Sequence, residues 1–308
     1  MNRQKCAIIG CGAVGATTAF QLVNSGLFNE IVLIDVNKKK AEGEAMDISH
    51  GIPFVQPVDI YAGDYSDLED AYLVIITAGA SQAPGETRID LIHKNAKIFK
   101  SIVPEITKYN KDCILLVVAN PVDILTSVAL KLSGFPAERV LGSGTVLDTA
   151  RLKYKIGEEM GVDTRNVHAY IIGEHGDSEL AVWSSANIAG IPIAEYCENG
   201  GSLENRDLMY EEVKNSAYEI IERKGATYYA IAVAVERIAQ AIVRDEQSVL
   251  TVSSLMKGQY GIEGICLGMP AIVGERGVEG LIEIPLNEEE KRKLKQSAET
   301  LASVLAEV

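Results

Sequence analysis

The sequence is poor in cysteine, histidine and aromatic residues, and it contains no long apolar run. Its 5 cysteines are scattered over 308 residues without a CxxC pair, a pattern typical of reduced thiols rather than of a disulfide framework. The apolar segment 113–119 (CILLVVA) is much shorter than the roughly 20 residues that a membrane-spanning helix needs. With no signal-peptide pattern either, we expect a cytoplasmic protein that has no membrane partner.

Basic residues are also scarce. The chain has 29 lysines and arginines against 43 aspartates and glutamates, and its formal net charge is -14. No block of basic residues stands out, so we do not expect a nucleic-acid partner.

The apolar residues that are present alternate between strand and helix patterns in the first half of the chain. Short runs rich in valine, isoleucine and leucine predict strands near 5–10, 30–35, 58–63, 72–78 and 113–119. The intervening segments predict helices, the longest of them running from about Thr87 to Tyr109. Continuous apolar strands alternating with helices indicate a parallel sheet that is covered on both faces.

The pattern changes near Gly144, after which helices predominate and the strands are shorter. We therefore predict an α/β protein with two domains. Residues 1–143 would form a Rossmann-type doubly wound parallel sheet that binds NAD, and residues 144–308 would form an α+β catalytic domain.

The segment GCGAVG follows the first predicted strand and opens a helix. Gly10 would permit a tight turn, Gly12 would let the backbone approach a pyrophosphate, and Gly15 would let the helix pack on the strand. Asp35 ends the second strand, 20 residues after Gly15, where a carboxylate can bind the adenosine ribose and repel a 2′-phosphate. Since Val36 offers no compensating cation, these residues favour NAD over NADP. A glycine turn that binds nothing is the alternative.

Two loops would lie beyond the carboxyl ends of the strands, where open parallel sheets bind ligands. The loop AGASQAPGETR (78–88) ends on Arg88 and has the composition of a mobile lid that carries a guanidinium group. In the segment ANPVD, Asn120 would point its amide into the cleft. Taken alone, each segment is equally typical of a plain surface loop or a strand-ending turn.

The second half adds the segments VLDTARL and GEHGDSEL. Asp148 and Arg151 are three residues apart and share a helix face, either as a surface ion pair or with separate roles. Histidine is the side chain best suited to moving protons near neutral pH, so His175 is a candidate catalyst. Asp148 would hold its ring and stabilise its protonated form, while the guanidinium of Arg151 suits a substrate carboxylate.

Together, GCGAVG, Asp35, AGASQAPGETR, ANP, LDTARL and GEHGDS occur in the order seen in the NAD-dependent lactate and malate dehydrogenases. The chain resembles this family from its first strand to its final helix, and it is most similar to the bacterial L-lactate branch. The resemblance implies reversible hydride transfer between NADH and pyruvate, giving L-lactate and NAD+.

The resemblance also implies residue roles. His175 would exchange a proton with the substrate oxygen while paired with Asp148. Arg151 would clamp the substrate carboxylate, and Arg88 would close over the substrate and polarise its carbonyl. Three further residues would line the substrate pocket, namely Gln82, Asn120 and Thr227. The implied NAD contacts are Gly10, Gly12, Val14, Gly15, Asp35, Gly79, Val118, Asn120 and Ser143. No metal is expected.

Residue 82 separates pyruvate from oxaloacetate. The malate dehydrogenases of this family carry arginine at the matching position, where it meets the second carboxylate of oxaloacetate. This chain has Gln82, and no cation remains for a second carboxylate once Arg151, His175 and Arg88 have their partners. Pyruvate is therefore favoured, with malate dehydrogenase, another 2-hydroxy acid dehydrogenase and a non-catalytic NAD-binding sensor as the alternatives.

The bacterial lactate dehydrogenases often bind fructose 1,6-bisphosphate between subunits through an arginine and a histidine. His168 matches the histidine, while Lys153 stands at the arginine position and keeps the charge without the two-pronged grip. The resemblance thus implies an allosteric activator site at Lys153 and His168. It also implies a homotetramer.

Overall fold

The computed structural model describes residues 1–80, 85, 87–198 and 206–307, apart from the side chains of Arg88 and Glu198. The strands, in chain order, are β1 (Asn2–Ile9), β2 (Glu30–Ile34), β3 (Asp59–Ala62), β4 (Ala71–Ile76), β5 (Ile114–Val117), β6 (Val140–Gly142), β7 (Val167–His168), β8 (Ile171–Ile172), β9 (Leu180–Ala181), β10 (Asn187–Ile188), β11 (Ile191–Pro192), β12 (Ser248–Lys257), β13 (Glu263–Gly274) and β14 (Gly277–Leu281). The helices are α1 (Ala13–Ser25), α2 (Lys38–Ser49), α3 (Arg88–Tyr109), α4 (Val122–Ser133), α5 (Val146–Met160), α6 (Ile193–Glu198), α7 (Arg206–Lys224), α8 (Tyr229–Val243) and α9 (Glu288–Leu305).

The first six strands form the parallel part of one large sheet, in the order β3-β2-β1-β4-β5-β6. The strand order reverses between β1 and β4, and a doubly wound sheet opens a ligand crevice at such a point. The sheet then continues across β6, where Gly142 pairs with Ser253 of the antiparallel strand β12. Strands β13 and β14 complete that edge, so segments from both halves of the chain meet beside β6.

Both faces of the parallel sheet are buried. Ala7 and Ile9 of β1 belong to one apolar core, whereas Cys6 and Ile8 belong to the core on the opposite face. Every residue of β4 and β5 is buried, which is why these strands are continuous apolar runs in the sequence. The prediction of a Rossmann-type sheet covered on both faces, followed by an α+β region, is confirmed.

A third apolar core lies in the second half of the chain. Leu152 and Ile156 of α5 pack there with Val213 of α7 and Ile188 of β10. The strands of this half are short, as the sequence predicts, and neighbouring ones belong to different sheets, because β7 pairs with β10 whereas β8 pairs with β9. Among the described residues, no helix is both long and apolar enough to cross a membrane.

Candidate active site

The glycine-rich turn between β1 and α1 leaves its outer side open. Gly10 has φ +104°, and a Cβ atom there would lie 2.5 Å from the backbone nitrogen of Ala78 on the neighbouring strand's loop. A Cβ atom on Gly15 would lie 1.8 Å from the carbonyl oxygen of Gly10. Only glycine at this position therefore lets α1 lie so close to the turn. At Gly12, which precedes α1, a Cβ atom would meet nothing within 4 Å. This open space at the positive end of a helix suits a pyrophosphate, and Val14 lies in the first turn of the same helix.

The carboxylate of Asp35 is fixed beside this turn. Its Oδ2 accepts a hydrogen bond from the backbone N–H of Cys11 at 2.6 Å, and its Oδ1 accepts one from Asn37 at 2.8 Å. Asp35 is only partly buried and the adjacent Val36 is fully exposed. A carboxylate held at the end of β2 beside a phosphate-binding turn can accept hydrogen bonds from the hydroxyl groups of a ribose.

The ends of β4, β5 and β6 bring the other predicted cofactor residues to the same edge of the sheet. Val118 donates its N–H to Ile76 at the end of β4, and Ser143 donates its N–H to Val117 at the end of β5. Both side chains are buried. Asn120 follows β5, joined to Pro121 by a cis peptide bond, and its side chain is exposed.

His175, Asp148 and Arg151 form one connected group. The Nδ1 atom of His175 lies 2.6 Å from Oδ2 of Asp148, and Nη1 of Arg151 donates to Oδ1 of the same carboxylate at 2.8 Å. Asp148 is 3% exposed, whereas a quarter of the His175 side chain is accessible. The imidazole therefore has a buried, anchored nitrogen and an accessible edge. The Asp148–Arg151 ion pair is present as well, since one carboxylate serves both partners.

The electrostatics of this group favour a protonated histidine. Burial alone would lower the pKa of His175, but the charge of Asp148 and its hydrogen bond outweigh burial, and with Glu179 and Asp123 they raise that pKa to about 9. Burial would likewise raise the pKa of Asp148, yet the neighbouring His175 and Arg151 hold it below its usual value. The pair is thus an imidazolium and a carboxylate near neutral pH, which gives the site a proton to donate.

Glu179 is an additional carboxyl group that the sequence reasoning missed. It is 7% exposed, and burial, followed by the charge of Asp148, raises its pKa to about 8. Oxygen or nitrogen atoms of Glu179, Asp148 and His175 lie within 4.8 Å of one another, close enough to ligate a metal ion. The cation of Arg151 on Asp148 opposes such an ion.

Arg151 and Thr227 line one cavity of about 520 Å³ between α5, α7 and the start of α8. Leu147, Ala150 and Val213 make much of its wall apolar, and the charged residues Lys155, Glu212 and Lys224 line it as well. Such a lining suits a small carboxylate with an apolar end.

The remaining predicted residues lie in the segment 78–88, on α5 and on β7. Gln82 lies outside the described residues, and Arg88 is placed only by its backbone, as the first residue of α3 after the capping residue Thr87. Gly79 packs against Ala119. Lys153 is half-buried on α5 and burial lowers its pKa, whereas His168 is exposed on β7.

Two buried polar residues hold the loops of the site. Asn95 of α3 is 1% exposed, its Oδ1 accepts the N–H of Ala80 at 2.7 Å, and its Nδ2 donates to the carbonyl oxygen of Asn120 at 2.7 Å. Asp123 accepts the backbone N–H of His175 at 2.8 Å. A signal for Asn95 exists in the sequence, because it interrupts the buried helix face that carries Ile92 and Phe99.

A phosphate-binding turn at the switch point of a parallel sheet, near a histidine–carboxylate pair, defines a dinucleotide-binding oxidoreductase. Comparison with known proteins identifies the family. Residues 4–142 match the model for the lactate/malate dehydrogenase NAD binding domain, and residues 145–308 match the model for the lactate/malate dehydrogenase alpha/beta C-terminal domain. The chain belongs to the lactate/malate dehydrogenase family, and its cofactor is NAD. The resemblance drawn from the motifs is confirmed.

Several relatives are similar over nearly their whole length. An L-lactate dehydrogenase of Acetivibrio thermocellus is 59% identical over 98% of this chain and 96% of its own. L-lactate dehydrogenase 1 of Clostridium acetobutylicum is 60% identical over 98% of this chain and 97% of its own. Among solved structures, a minor L-lactate dehydrogenase from Enterococcus mundtii superposes with a TM-score of 0.96 at 47% identity, covering 99% of this chain and 98% of that one.

Proposed function

We propose that this protein is an L-lactate dehydrogenase, which reduces pyruvate to L-lactate with NADH and catalyses the reverse reaction with NAD+. The observation that carries the proposal is the hydrogen bond of 2.6 Å between His175 and the buried Asp148, beside Arg151. The names of the relatives of about 60% identity support the same activity.

NADH supplies the hydride when it is bound. The open side of the turn at Gly12, the helix end behind it and the fixed carboxylate of Asp35 suit its pyrophosphate and ribose. Val118 and Ser143, at the ends of the neighbouring strands, would border the nicotinamide, with Gly79, Val14 and Asn120 nearby in the same crevice.

His175 would donate the proton of its Nε2 atom to the carbonyl oxygen of pyruvate, because Nδ1 is engaged by Asp148. In the reverse reaction, the neutral ring would accept the hydroxyl proton of lactate. Arg151 would bind the substrate carboxylate through the guanidinium nitrogens that Asp148 leaves available. Thr227 would contact the methyl end of the cavity. Arg88 and Gln82 would close over the substrate, with Arg88 polarising the carbonyl.

The charge of the site favours a substrate with one carboxylate. Buried Asp123 and Asp148 already lie beside His175 and Arg151. The two lysines that line the cavity also have partners, Lys155 in Glu212 and Lys224 in the rings of Tyr228 and Tyr229. A second substrate carboxylate without a cation of its own would cost on the order of several kcal/mol. This supports pyruvate over oxaloacetate.

Position 82 provides the test. Rates of NADH oxidation with pyruvate and with oxaloacetate should favour pyruvate strongly in the unaltered enzyme. Gln82→Arg should shift the ratio of kcat/KM toward oxaloacetate by about 10²-fold, because it supplies the missing cation. Gln296→Arg, which places the same charge on the exposed face of α9, should leave the ratio unchanged. A preference of the unaltered enzyme for oxaloacetate would contradict the lactate assignment, and an unchanged ratio in Gln82→Arg would contradict the role of residue 82.

We further propose that the enzyme is a homotetramer and that fructose 1,6-bisphosphate activates it at Lys153 and His168. The exposed apolar side chains of Tyr229 and Val233 on α8 support a subunit contact. The division into an NAD-binding domain (1–143) and a catalytic domain (144–308) is likewise a proposal.

A further inference from the structure

Asp123 is a buried carboxylate that joins three parts of the fold. It lies in the first turn of α4, directly after the Asn120–Pro121 turn, and is only 2% exposed. Its Oδ2 accepts the backbone N–H of His175 at 2.8 Å, and its Oδ1 accepts the hydroxyl of Ser253 on β12 at 2.5 Å. Because a buried charge is costly unless it is hydrogen-bonded, both contacts offset the burial of this group.

The contact with His175 fixes the backbone that carries the imidazole. His175 lies in a loop between Gly173 and Gly176, which both have positive φ values. Glycines at both ends leave this loop little stiffness of its own. Asp148 on α5 holds the ring at Nδ1, and Asp123 on α4 holds the main chain of the same residue. His175 is thus anchored from both halves of the molecule.

Asp123 also adds negative charge behind the ring. The charged and titratable groups around His175 are Asp148 and Arg151 on α5, Glu179 on the following loop, and Asp123 on α4, with Glu174 beside Asp123. Burial raises the pKa of Asp123 to about 6, and its hydrogen bonds from Ser253 and His175 oppose that rise, so the group is mainly ionised at neutral pH. An ionised carboxylate at this place favours the imidazolium form of His175.

We propose that Asp123 is a positioning residue for the reaction: it fixes the backbone of His175 and its charge keeps the imidazole protonated for transfer to the substrate. This inference rests on the proposed function. The competing reading is that Asp123 only ties α4 to β12 through Ser253.

The decisive variant is Asp123→Asn, which keeps the shape of the side chain. Its Oδ1 can accept the His175 N–H and its Nδ2 can donate to Ser253, so the charge is removed while both contacts can persist. The alkaline fall of kcat/KM for pyruvate reduction should then move to lower pH by about one unit. Asp123→Ala, which also releases the backbone of His175, should lower kcat by about 10²-fold with a smaller effect on KM.

Two comparison variants separate the effect of the Asp123 charge from the effect of its hydrogen bond with Ser253 of β12. Ser253→Ala removes the other hydrogen bond and leaves the contact of Asp123 with His175. The pKa of Asp123 should rise above about 6 without this bond, but the alkaline fall is read near pH 9, where we expect Asp123 to remain ionised, so that part of the pH profile should stay in place. Asp47→Asn removes an exposed carboxylate on α2 and should behave like the unaltered enzyme. Circular dichroism and NADH fluorescence would show that each variant is folded and binds the cofactor.

NMR titration of histidine rings labelled with ¹³C gives a readout that is independent of turnover, with His175→Gln assigning the signal. The proposal expects the midpoint of His175 to fall in Asp123→Asn but not in Ser253→Ala. Equal midpoints of His175 in the unaltered enzyme and in Asp123→Asn would overturn the proposal. An equal fall of this midpoint in Asp123→Asn and in Ser253→Ala would overturn it as well. If neither pyruvate nor oxaloacetate were reduced, the proposed function would fail while the titration still tested the link between Asp123 and His175.

Discussion

His175 owes its proton affinity to its surroundings. A buried imidazole without a partner would lose its proton more readily than histidine in water. Here Asp148 reverses that tendency, and the pKa of His175 rises to about 9. Asp148 is itself held by Arg151, so the base, its partner and the candidate carboxylate-binding group form one unit.

Replacing Asp148 by asparagine tests this unit at the scale of single residues. Without the carboxylate, burial would dominate and the pKa of His175 would fall. Less imidazolium would be present at neutral pH, so we expect kcat/KM for pyruvate reduction to drop by about 10²-fold or more. The alkaline fall of the pH profile should move to lower pH, while the Kd for NADH stays the same. Asp47→Asn is the matched control, and a profile that does not move in Asp148→Asn would contradict the pairing.

Single residues were predicted from the sequence only where a motif drew attention to them. His175, Asp148 and Arg151 were selected as candidates, and the structure brings them into contact. No motif indicates Glu179, because its importance depends on which side chains it meets after folding. The one sequence signal for Asn95 is its place on a buried helix face, and this signal does not show which loops it holds. Asp123 lay within a recognised motif, but its contact with His175, 52 residues away, is a product of the tertiary structure.

At the scale of elements, α5 carries three of the proposed functional groups. Asp148 and Arg151 lie three residues apart on one face, whereas Lys153 lies two residues further on and therefore points elsewhere. Helix α5 packs on β7, which carries His168, within the third apolar core. The substrate group and the proposed activator group thus share one rigid helix, which would let a bisphosphate act on Arg151.

Activation by fructose 1,6-bisphosphate is the corresponding prediction. The bisphosphate should lower the KM for pyruvate near neutral pH, and His168→Ala should abolish the effect. Lys153→Arg should reduce the half-saturating bisphosphate concentration by about tenfold, because a guanidinium grips phosphate with two hydrogen bonds. Lys291→Ala, which removes an exposed lysine of α9 that pairs with Glu288, should respond normally. An unchanged KM at saturating bisphosphate would rule out the activator site.

Elements were predictable in proportion to their length and apolar character. The sequence predicts β4 and β5 close to their observed positions, because burial on both faces leaves continuous apolar runs. It predicts only the buried part of β1, whose first three residues are exposed. Helix α3 is predicted from its length and from its apolar residues at helical spacing. Helix α4 and the short strand β6 were not predicted. Strand β6 has only three residues, and its position depends on pairing with β5 and β12 rather than on its own sequence.

At the scale of the whole molecule, the site is assembled across the junction of the two halves. The first half supplies the cofactor crevice and, on α4, Asp123, while the second half supplies Asp148, Arg151 and His175. Strand β12 joins the sheet beside β6, and its Ser253 binds Asp123. The contacts of His175 with Asp123 and Asp148 therefore depend on both halves packing correctly.

The most direct test of proton transfer by His175 is the pH dependence of both directions of the reaction in the unaltered enzyme. In the proposed reaction the proton donor is the imidazolium, so kcat/KM for pyruvate reduction should be constant near neutral pH and fall as the pH rises through about 9. Oxidation of L-lactate needs the neutral ring, so its kcat/KM should rise through the same pH range. Opposite trends with a shared midpoint, both lost in His175→Asn, are the result we predict. Trends of the same sign, or pH profiles that persist in His175→Asn, would contradict the account.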